Sequence, residues 1–440
     1  MKQVLVIGYP NDWHWVLSLE YASTQNSEDL EVWDISWAGE KGFKNLLKMV
    51  VGGNRLQRNC KTWLKSKGIP VRKMYLYYLP KRKIINQYES LVSENLFIDP
   101  HKNCTIYNTL VEKTGTLRVN PKIFKNAILR ELESSMIVQR SLEKKELAPD
   151  TQIVTVNGRF TKNATVKEWA DSRSYRRLLL EFGSTRESLE VFHTSPHSTS
   201  EISQKMNSAW HSASILNREE IALKYLDALK ANKISTINWR EKIQERYVPN
   251  HPEKKKICVF FASTEVEHAG VGDKISNDSF ESQDEAFSGL VQALPPNEWH
   301  LYVRRHPRNP LNPSYDDPES QLWDKFRNLS NVTIIEPNSP VDSITLGMSA
   351  NLVTNYWSTI AIELILFGHP RVVTLGSAPW NTLIPECALT STKKIQDYLA
   401  LSHNPIDPDR IYPWAYFQAT FGEKFQLFKF SRELGRWSFQ

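Results

Sequence analysis

The chain has 440 residues, 40% of them hydrophobic and 14 of them Trp, a length that exceeds one ordinary core and suits two domains of about 200 residues each. With this apolar and aromatic content, disorder is not the default expectation for any long region. The net charge of +6 is modest for the length and no nucleic-acid-binding motif gathers it, so no nucleic acid partner is expected; attraction to nucleotide phosphates, anionic sugars or a membrane surface accounts for it.

The opening Met1-Lys-Gln-Val-Leu-Val-Ile-Gly8 reads as a first strand, Gln3 to Ile7, rather than a signal peptide, because its apolar run is short and no small-residue cleavage site follows. A turn with Gly8 and Pro10, a helix from Trp13 to Tyr21 and a strand from Leu30 to Ile35 make the beta-alpha-beta opening of a doubly wound sheet. No G-x-G-x-x-G follows the first strand. Further strands are expected at Val71 to Tyr78, Gln152 to Val156, Arg177 to Glu181 and Leu189 to His193, with a mainly helical stretch between Lys81 and Asp150. Ser208 to Arg246 is again helical, and the Pro-containing charged run Val248 to Lys256 marks a linker. From Lys256 the beta-alpha rhythm restarts, with strands near Cys258, Leu301, Val332, Leu352 and Arg371. The expected division is therefore a first domain over 1–247, a linker over 248–255, a second domain over 256–415 and a helical tail over 416–440. That tail either crosses back to the first domain or caps the second. The fold class is α/β, two Rossmann-like doubly wound domains. No segment has the roughly 18 consecutive apolar residues of a transmembrane helix, so a cytoplasmic protein is expected. Cys60, Cys104, Cys258 and Cys387 form no C-x-x-C pair, which signals neither a zinc site nor a disulfide framework.

Two segments carry chemistry. Val353 to Val373 reads as strand, polar loop, short helix and strand, with Ser358 and Thr359 at the helix start. Their hydroxyls and the unpaired N–H groups of the first turn would face a docked anion; plain N-capping is the structural alternative. Glu363, one turn later, is the only charge on an otherwise apolar helix and is placed to accept from a sugar's vicinal hydroxyls. Earlier, the strand Trp299 to Val303 delivers His306 and Pro307 to its carboxyl end, the edge at which open parallel sheets bind ligands. Arg304, Arg305 and Arg308 surround that His and make a cationic corner suited to phosphate.

The combination of His306-Pro307 with Ser358-Thr359-x-x-x-Glu363-x-x-x-x-Gly368-x-Pro370 resembles the nucleotide-binding half of GT-B glycosyltransferases of the capsular and surface polysaccharide type, including sialyltransferase-like and Kdo-transferase-like enzymes. The resemblance covers Lys256 to about Leu401 and extends faintly to Val156-Asn-Gly-Arg-Phe160, Glu181 and Asp12-Trp-His14. It implies two Rossmann-like domains facing a cleft, with the nucleotide-sugar on the second and the acceptor on the first. It also implies that His306, Pro307, Ser358 and Thr359 hold the nucleotide phosphate and that Glu363 binds ribose. Phe261 to Glu267 and Ser282 to Phe287 match a Ser-rich loop and a Gln-containing helix start of such chains, and His268 to Glu281 reads as a loop inserted between them.

Glycosyl transfer needs stabilisation of the departing phosphate, assigned to His306, Ser358 and Thr359 with Arg304 or Arg305 in support. An inverting course also needs a base, for which Glu181 at a strand end comes first and Asp12 and His14 follow. Asn157 and Arg159 would orient a sugar. Because donors and a helix start neutralise phosphate, no metal and no cofactor beyond the CMP- or UDP-linked sugar substrate are expected. The acceptor would be a saccharide or glycolipid, reached in the cytoplasm or at the inner face of the membrane. The competing readings are a teichoic-acid-like glycerophosphotransferase and a non-catalytic, carbohydrate-binding GT-B-like scaffold.

Overall fold

The computed structural model describes residues 1–39, 53–74, 79–94, 98, 104–114, 119–231, 255–264, 280, 282–306, 320–401 and 405–440. Among these, one compact unit takes residues 1–201 and 420–440 and a second takes 202–419. The expected linker at 248–255 lies outside the described residues except for Lys255, and the division falls instead at Glu201 and Ile202. The reason is packing. The helices Thr199–Ser212 and Ile215–Lys230, expected in the first domain, turn their apolar faces to the helix Tyr412–Thr420 of the second unit. Trp210 meets Tyr416 at 5.8 Å, and Tyr225 meets Trp414 at 5.8 Å, both edge-to-face.

In the first unit, strands β1 (Gln3–Ile7), β2 (Leu30–Asp34), β3 (Val71–Lys73), β4 (Gln152–Val156) and β5 (Arg176–Phe182) are parallel, and β6 (Ser188–Phe192) runs antiparallel beside β5. The spatial order is β6-β5-β4-β1-β2-β3, the doubly wound order with its reversal between β1 and β4. Helices cover both faces, so β1 and β4 are buried over four of five positions and read as nearly continuous apolar runs. Leu5, Ile7, Val154, Val156 and Leu180 pack on Trp15, Val16 and Leu19 of the helix Asp12–Ser23. The expected strand over Val71 to Tyr78 ends at Lys73, and 75–78 lie outside the described residues.

The second unit repeats the scheme with five parallel strands, β7 (Lys256–Phe261), β8 (Trp299–Arg304), β9 (Val332–Ile335), β10 (Leu352–Asn355) and β11 (Val372–Thr374). Their order is β11-β10-β7-β8-β9, and the reversal falls between β7 and β10.

The tail corrects the expectation of a helix. After Thr420 the chain forms β12 (Glu423–Lys424), which pairs antiparallel with β6, then the hairpin β13 (Phe428–Ser431) and β14 (Arg436–Phe439). Aromatic residues alternate with polar ones along Phe428-Lys-Phe-Ser and Arg436-Trp-Ser-Phe, a period of two that only a strand can present to one side. Gly183 and Gly422 allow the crossing: a Cβ on Gly183 would lie 2.5 Å from the Phe421 carbonyl oxygen. The buried Glu20 carboxylate then accepts the N–H groups of Gln426, Leu427 and Phe428, each at 2.8 Å. Among the described residues, no helix is long and apolar enough to cross a membrane.

Candidate functional site

At the carboxyl edge of the second sheet, the loops after β7 and β10 flank the reversal point. The Gln283 carboxamide, at the start of the helix Gln283–Ala293, clamps Ser263 from both sides. It accepts the Ser263 N–H at 3.0 Å and donates to the Ser263 carbonyl at 3.1 Å. Ser263 Oγ in turn accepts the Trp357 N–H at 3.3 Å, which ties the loop after β7 to the one that carries Ser358 and Thr359. Gly376 lets the loop after β11 approach this corner, since a Cβ there would sit 2.2 Å from the Tyr356 carbonyl oxygen.

The short helix runs Ile360–Leu366, and its N-cap is Thr359, one residue later than a Ser358 cap would give. The Thr359 side chain makes no capping bond, so its hydroxyl is not spent on the helix; Ser358 is half-buried and Thr359 exposed. Glu363 is half-buried on the first turn, and its charge adds to burial in pushing the Tyr225 hydroxyl up to about 12. That places Glu363 beside the helix Ile215–Lys230, a neighbour the sequence did not indicate.

The arginines are a correction. Arg304, 1% exposed, donates to the carbonyls of Glu336 at 2.6 Å and Ser339 at 3.3 Å and to Ser343 Oγ at 3.5 Å, and burial brings it down to about 10. Arg305 is also buried and pairs with Glu336 at 2.7 Å. Both guanidiniums hold the segment after β9, because that segment presents carbonyls and a carboxylate to the end of β8 and a buried cation requires such partners. His306 is half-buried immediately beyond them, while Pro307 and Arg308 lie outside the described residues. So does nearly all of the expected loop His268 to Glu281. The chain contains one D-x-D triplet, Asp407-Pro408-Asp409; there the Asp407 carboxylate accepts the Asp409 N–H at 3.0 Å and caps a short helical turn. A cavity of about 560 Å³ opens at the opposite, amino-terminal edge of this sheet, lined by Lys256, Trp299 and Arg371. None of the described candidate site residues lines it.

In the first unit the structure brings Asn157, Arg159 and Glu181 together at the carboxyl ends of β4 and β5. Asn157 and Gly158 both adopt left-handed backbone conformations, at φ 61° and 73°. The Asn157 carboxamide donates to Glu181 Oε2, and the Phe182 N–H donates to Glu181 Oε1 at 3.0 Å. Glu181 is half-buried as a residue with its carboxyl end enclosed, and burial raises it above the ordinary carboxylate range against the lowering effects of Phe182, Asn157 and Arg159. Arg159 Nη1 lies 2.7 Å from His197 Nε2.

The other two base candidates stand elsewhere. Asp12 accepts from Asn54 Nδ2 at 2.7 Å, where it secures the N-cap residue of the helix Arg55–Ser66. His14 is 1% exposed among Tyr9, Trp13 and Asn163, and burial with the nearby Lys162 charge depresses it to about 3. Neither joins the Asn157, Arg159 and Glu181 cluster in the contacts described.

Sequence reasoning missed the polar packing beneath this edge. A Cβ on Gly8 would lie 1.7 Å from Asn163 Oδ1, so Gly8 is the residue that lets β1 meet the helix Thr161–Ser172. Lys162, 2% exposed, donates to the Ser36 carbonyl at 2.7 Å and stands 4.9 Å over the Tyr9 ring. The signal available was the run Thr161-Lys-Asn163 placed directly after Asn-Gly-Arg-Phe160.

Two units of Rossmann-like order in one chain constitute the domain composition of a GT-B protein. No protein-family model matches the chain, and no curated protein matches its sequence. Among solved structures it is similar to the Thermosulfurimonas dismutans KpsC beta-Kdo 2,4 transferase, at 12% identity over 60% of this chain and 79% of that one, with a TM-score of 0.39. A co-structure of S. aureus MnaA with UDP aligns over 97% of this chain and 94% of its own, at 14% identity and a TM-score of 0.30. Anabaena Alr3699/HepE in complex with UDP and glucose aligns over 95% and 94%, at 11% identity and a TM-score of 0.24. At these scores the fold assignment rests on the strand orders alone.

Proposed function

We propose that the protein is a glycosyltransferase that moves a sugar from a CMP- or UDP-linked donor to a saccharide or glycolipid acceptor of the surface polysaccharide type. The observation that carries this reading is Glu181: a carboxyl hydrogen-bonded in place at the carboxyl edge of a doubly wound sheet and raised by burial above its ordinary value. In this reading Glu181 takes the proton of an acceptor hydroxyl. The hydroxyl oxygen bonds to the anomeric carbon, and the bond from that carbon to the phosphate oxygen breaks. The nucleotide leaves with the electron pair, its charge met by His306 and by the Ser358 and Thr359 hydroxyls, while Glu363 accepts from the ribose. Arg159 orients the acceptor sugar. Transfer proceeds without a metal, in the cytoplasm or peripherally at the membrane's inner face.

The test is thermal unfolding with CMP, UDP, CDP and GDP, followed by assay of the corresponding nucleotide-sugars with EDTA present. One nucleotide should stabilise the protein, by about 2.7 kcal/mol at a hundredfold excess over its dissociation constant. His306→Ala should weaken that effect. Turnover of CDP-glycerol, with its glycerophosphate group passed to an acceptor hydroxyl and CMP leaving, would favour glycerophosphate transfer instead, and no stabilisation by any of the four would leave a non-catalytic scaffold.

A further inference from the structure

Asn157 stands in a conformation that costs a side-chain-bearing residue energy. It is one of two non-glycine residues with positive φ among the described residues, at 61°, and the next residue, Gly158, is also left-handed. Glycine at 157 would adopt this turn without strain, and asparagine is among the few other residues that enter it readily, so the turn admits a side chain that glycine would lack. That side chain is 5% exposed, and its Nδ2 donates to Glu181 Oε2. The backbone fixes the reach of the amide. The Asn157 N–H donates to the Leu180 carbonyl at 2.9 Å, continuing the β4–β5 ladder one residue beyond its regular end, and Gly158 N–H turns back to the Val156 carbonyl at 2.7 Å. The turn therefore lays the carboxamide across the end of β5, where Glu181 is the next-to-last residue.

We propose that Asn157 is a positioning residue for Glu181: its amide fixes the orientation of the carboxyl that receives the acceptor's proton. This rests on the reading of Glu181 as the base. The Oε1 atom is held by Phe182 N–H and the Oε2 atom by Asn157, so the carboxyl plane is set by one donor from its own strand and one from the neighbouring strand's turn. Among the described residues, the charged or titratable groups near this turn and carboxyl include Arg159 on the same loop, His197 bonded to Arg159, Lys167 of the helix Thr161–Ser172, whose Cδ lies 3.5 Å from where a Gly158 Cβ would stand, Glu190 opposite Glu181 in β6, and His14 behind Trp13, whose ring lies 6.2 Å from Phe182. Each of them leaves the Asn157 donor as the only carboxamide on the carboxyl among the described residues.

The experiment compares the full chain with Asn157→Gly, Glu181→Gln and the double variant. Glycine removes the amide while keeping the left-handed turn, so a folding failure from backbone strain is avoided. Urea unfolding across pH 4 to 9 isolates the Glu181 titration as the difference between each protein and its Glu181→Gln counterpart. Loss of a donor to the charged form should move that titration to higher pH in the Asn157→Gly background. In assays, the ascending limb of the pH–rate profile should move up with it. Turnover at neutral pH should fall roughly tenfold, less than the about 100-fold or greater loss expected on removing the base itself, with KM for the acceptor little changed. A pH-independent change in stability with the Glu181 titration unmoved would overturn the proposal and leave Asn157 a packing residue. A moved titration in a protein that binds no nucleotide would uphold the pairing and refute the transferase reading instead.

Discussion

Replacing Glu20 by Ala should unfasten the C-terminal tail, and the structure sets the size of the effect. Glu20 is 3% exposed and its two oxygens accept three consecutive backbone N–H groups at 2.8 Å. Gln426 is exposed, so its donor turns to water on truncation; Phe428 is buried and Leu427 half-buried, so theirs do not. Each stranded donor costs about 1–3 kcal/mol. Against this, burial raises the carboxyl despite its three donors, so the native charge is itself costly and its removal offsets part of the loss. The net expectation is a loss of about 2–4 kcal/mol in urea unfolding at pH 7. Glu20→Gln is the control. Its remaining oxygen occupies the place of Oε1, which serves both Leu427 and Phe428, so the cost should stay within about 1 kcal/mol. Amide exchange of Phe428 should quicken strongly in Glu20→Ala and little in Glu20→Gln. Equal stability of the wild type and Glu20→Ala, with the Phe428 amide still protected, would refute the claim that this carboxylate fastens the tail.

Three further outcomes follow from the same structure. Arg304→Ala should cost about 3 kcal/mol in unfolding free energy, because it strands the carbonyls of Glu336 and Ser339, while leaving nucleotide stabilisation in place; the reverse pattern would restore Arg304 to the phosphate. For His14, the folded-state value is depressed from 6.5 to about 3, so its contribution is fully present above 6.5 and is lost as pH falls toward 3. Wild-type stability should therefore drop by up to about 1.4 kcal/mol per pH unit in that window from this group, and His14→Gln should flatten the slope; an unchanged slope would show that His14 charges freely in the folded protein. For Glu181 the sign is opposite. Its folded-state value is raised, so its contribution is present below 4.5 and lost as pH rises through the raised value, and Glu181→Gln should remove that loss on the alkaline side while abolishing most turnover.

The elements were legible because doubly wound sheets are buried on both faces, and β1, β4, β7 and β8 announce themselves as apolar runs followed by turn residues. Tail and boundary were not, for a shared reason. The pairing of β12 with β6 and the packing of Tyr225 on Trp414 join residues far apart in sequence, and no local pattern specifies such partners. Local alternation in Phe428 to Phe439 carries a strand signal, but not the partner that makes it a hairpin on the first unit.

Side-chain roles divide along the same line. Position at a strand end could be read for both Arg304 and Glu181, yet the two meet opposite surroundings. Arg304 finds the carbonyls after β9, which consume its donors and turn a would-be phosphate ligand into a brace. Glu181 finds one amide, one N–H and the nearby Arg159 charge, enough to orient a carboxyl but not enough to outweigh its burial, so it is left raised. An ionisable group whose partners are saturated serves the fold, while one held in place yet still short of compensation keeps a proton affinity available for chemistry. By that measure the Asn157–Glu181 pair, rather than the cationic run before His306, is where the chemistry of this chain should be sought.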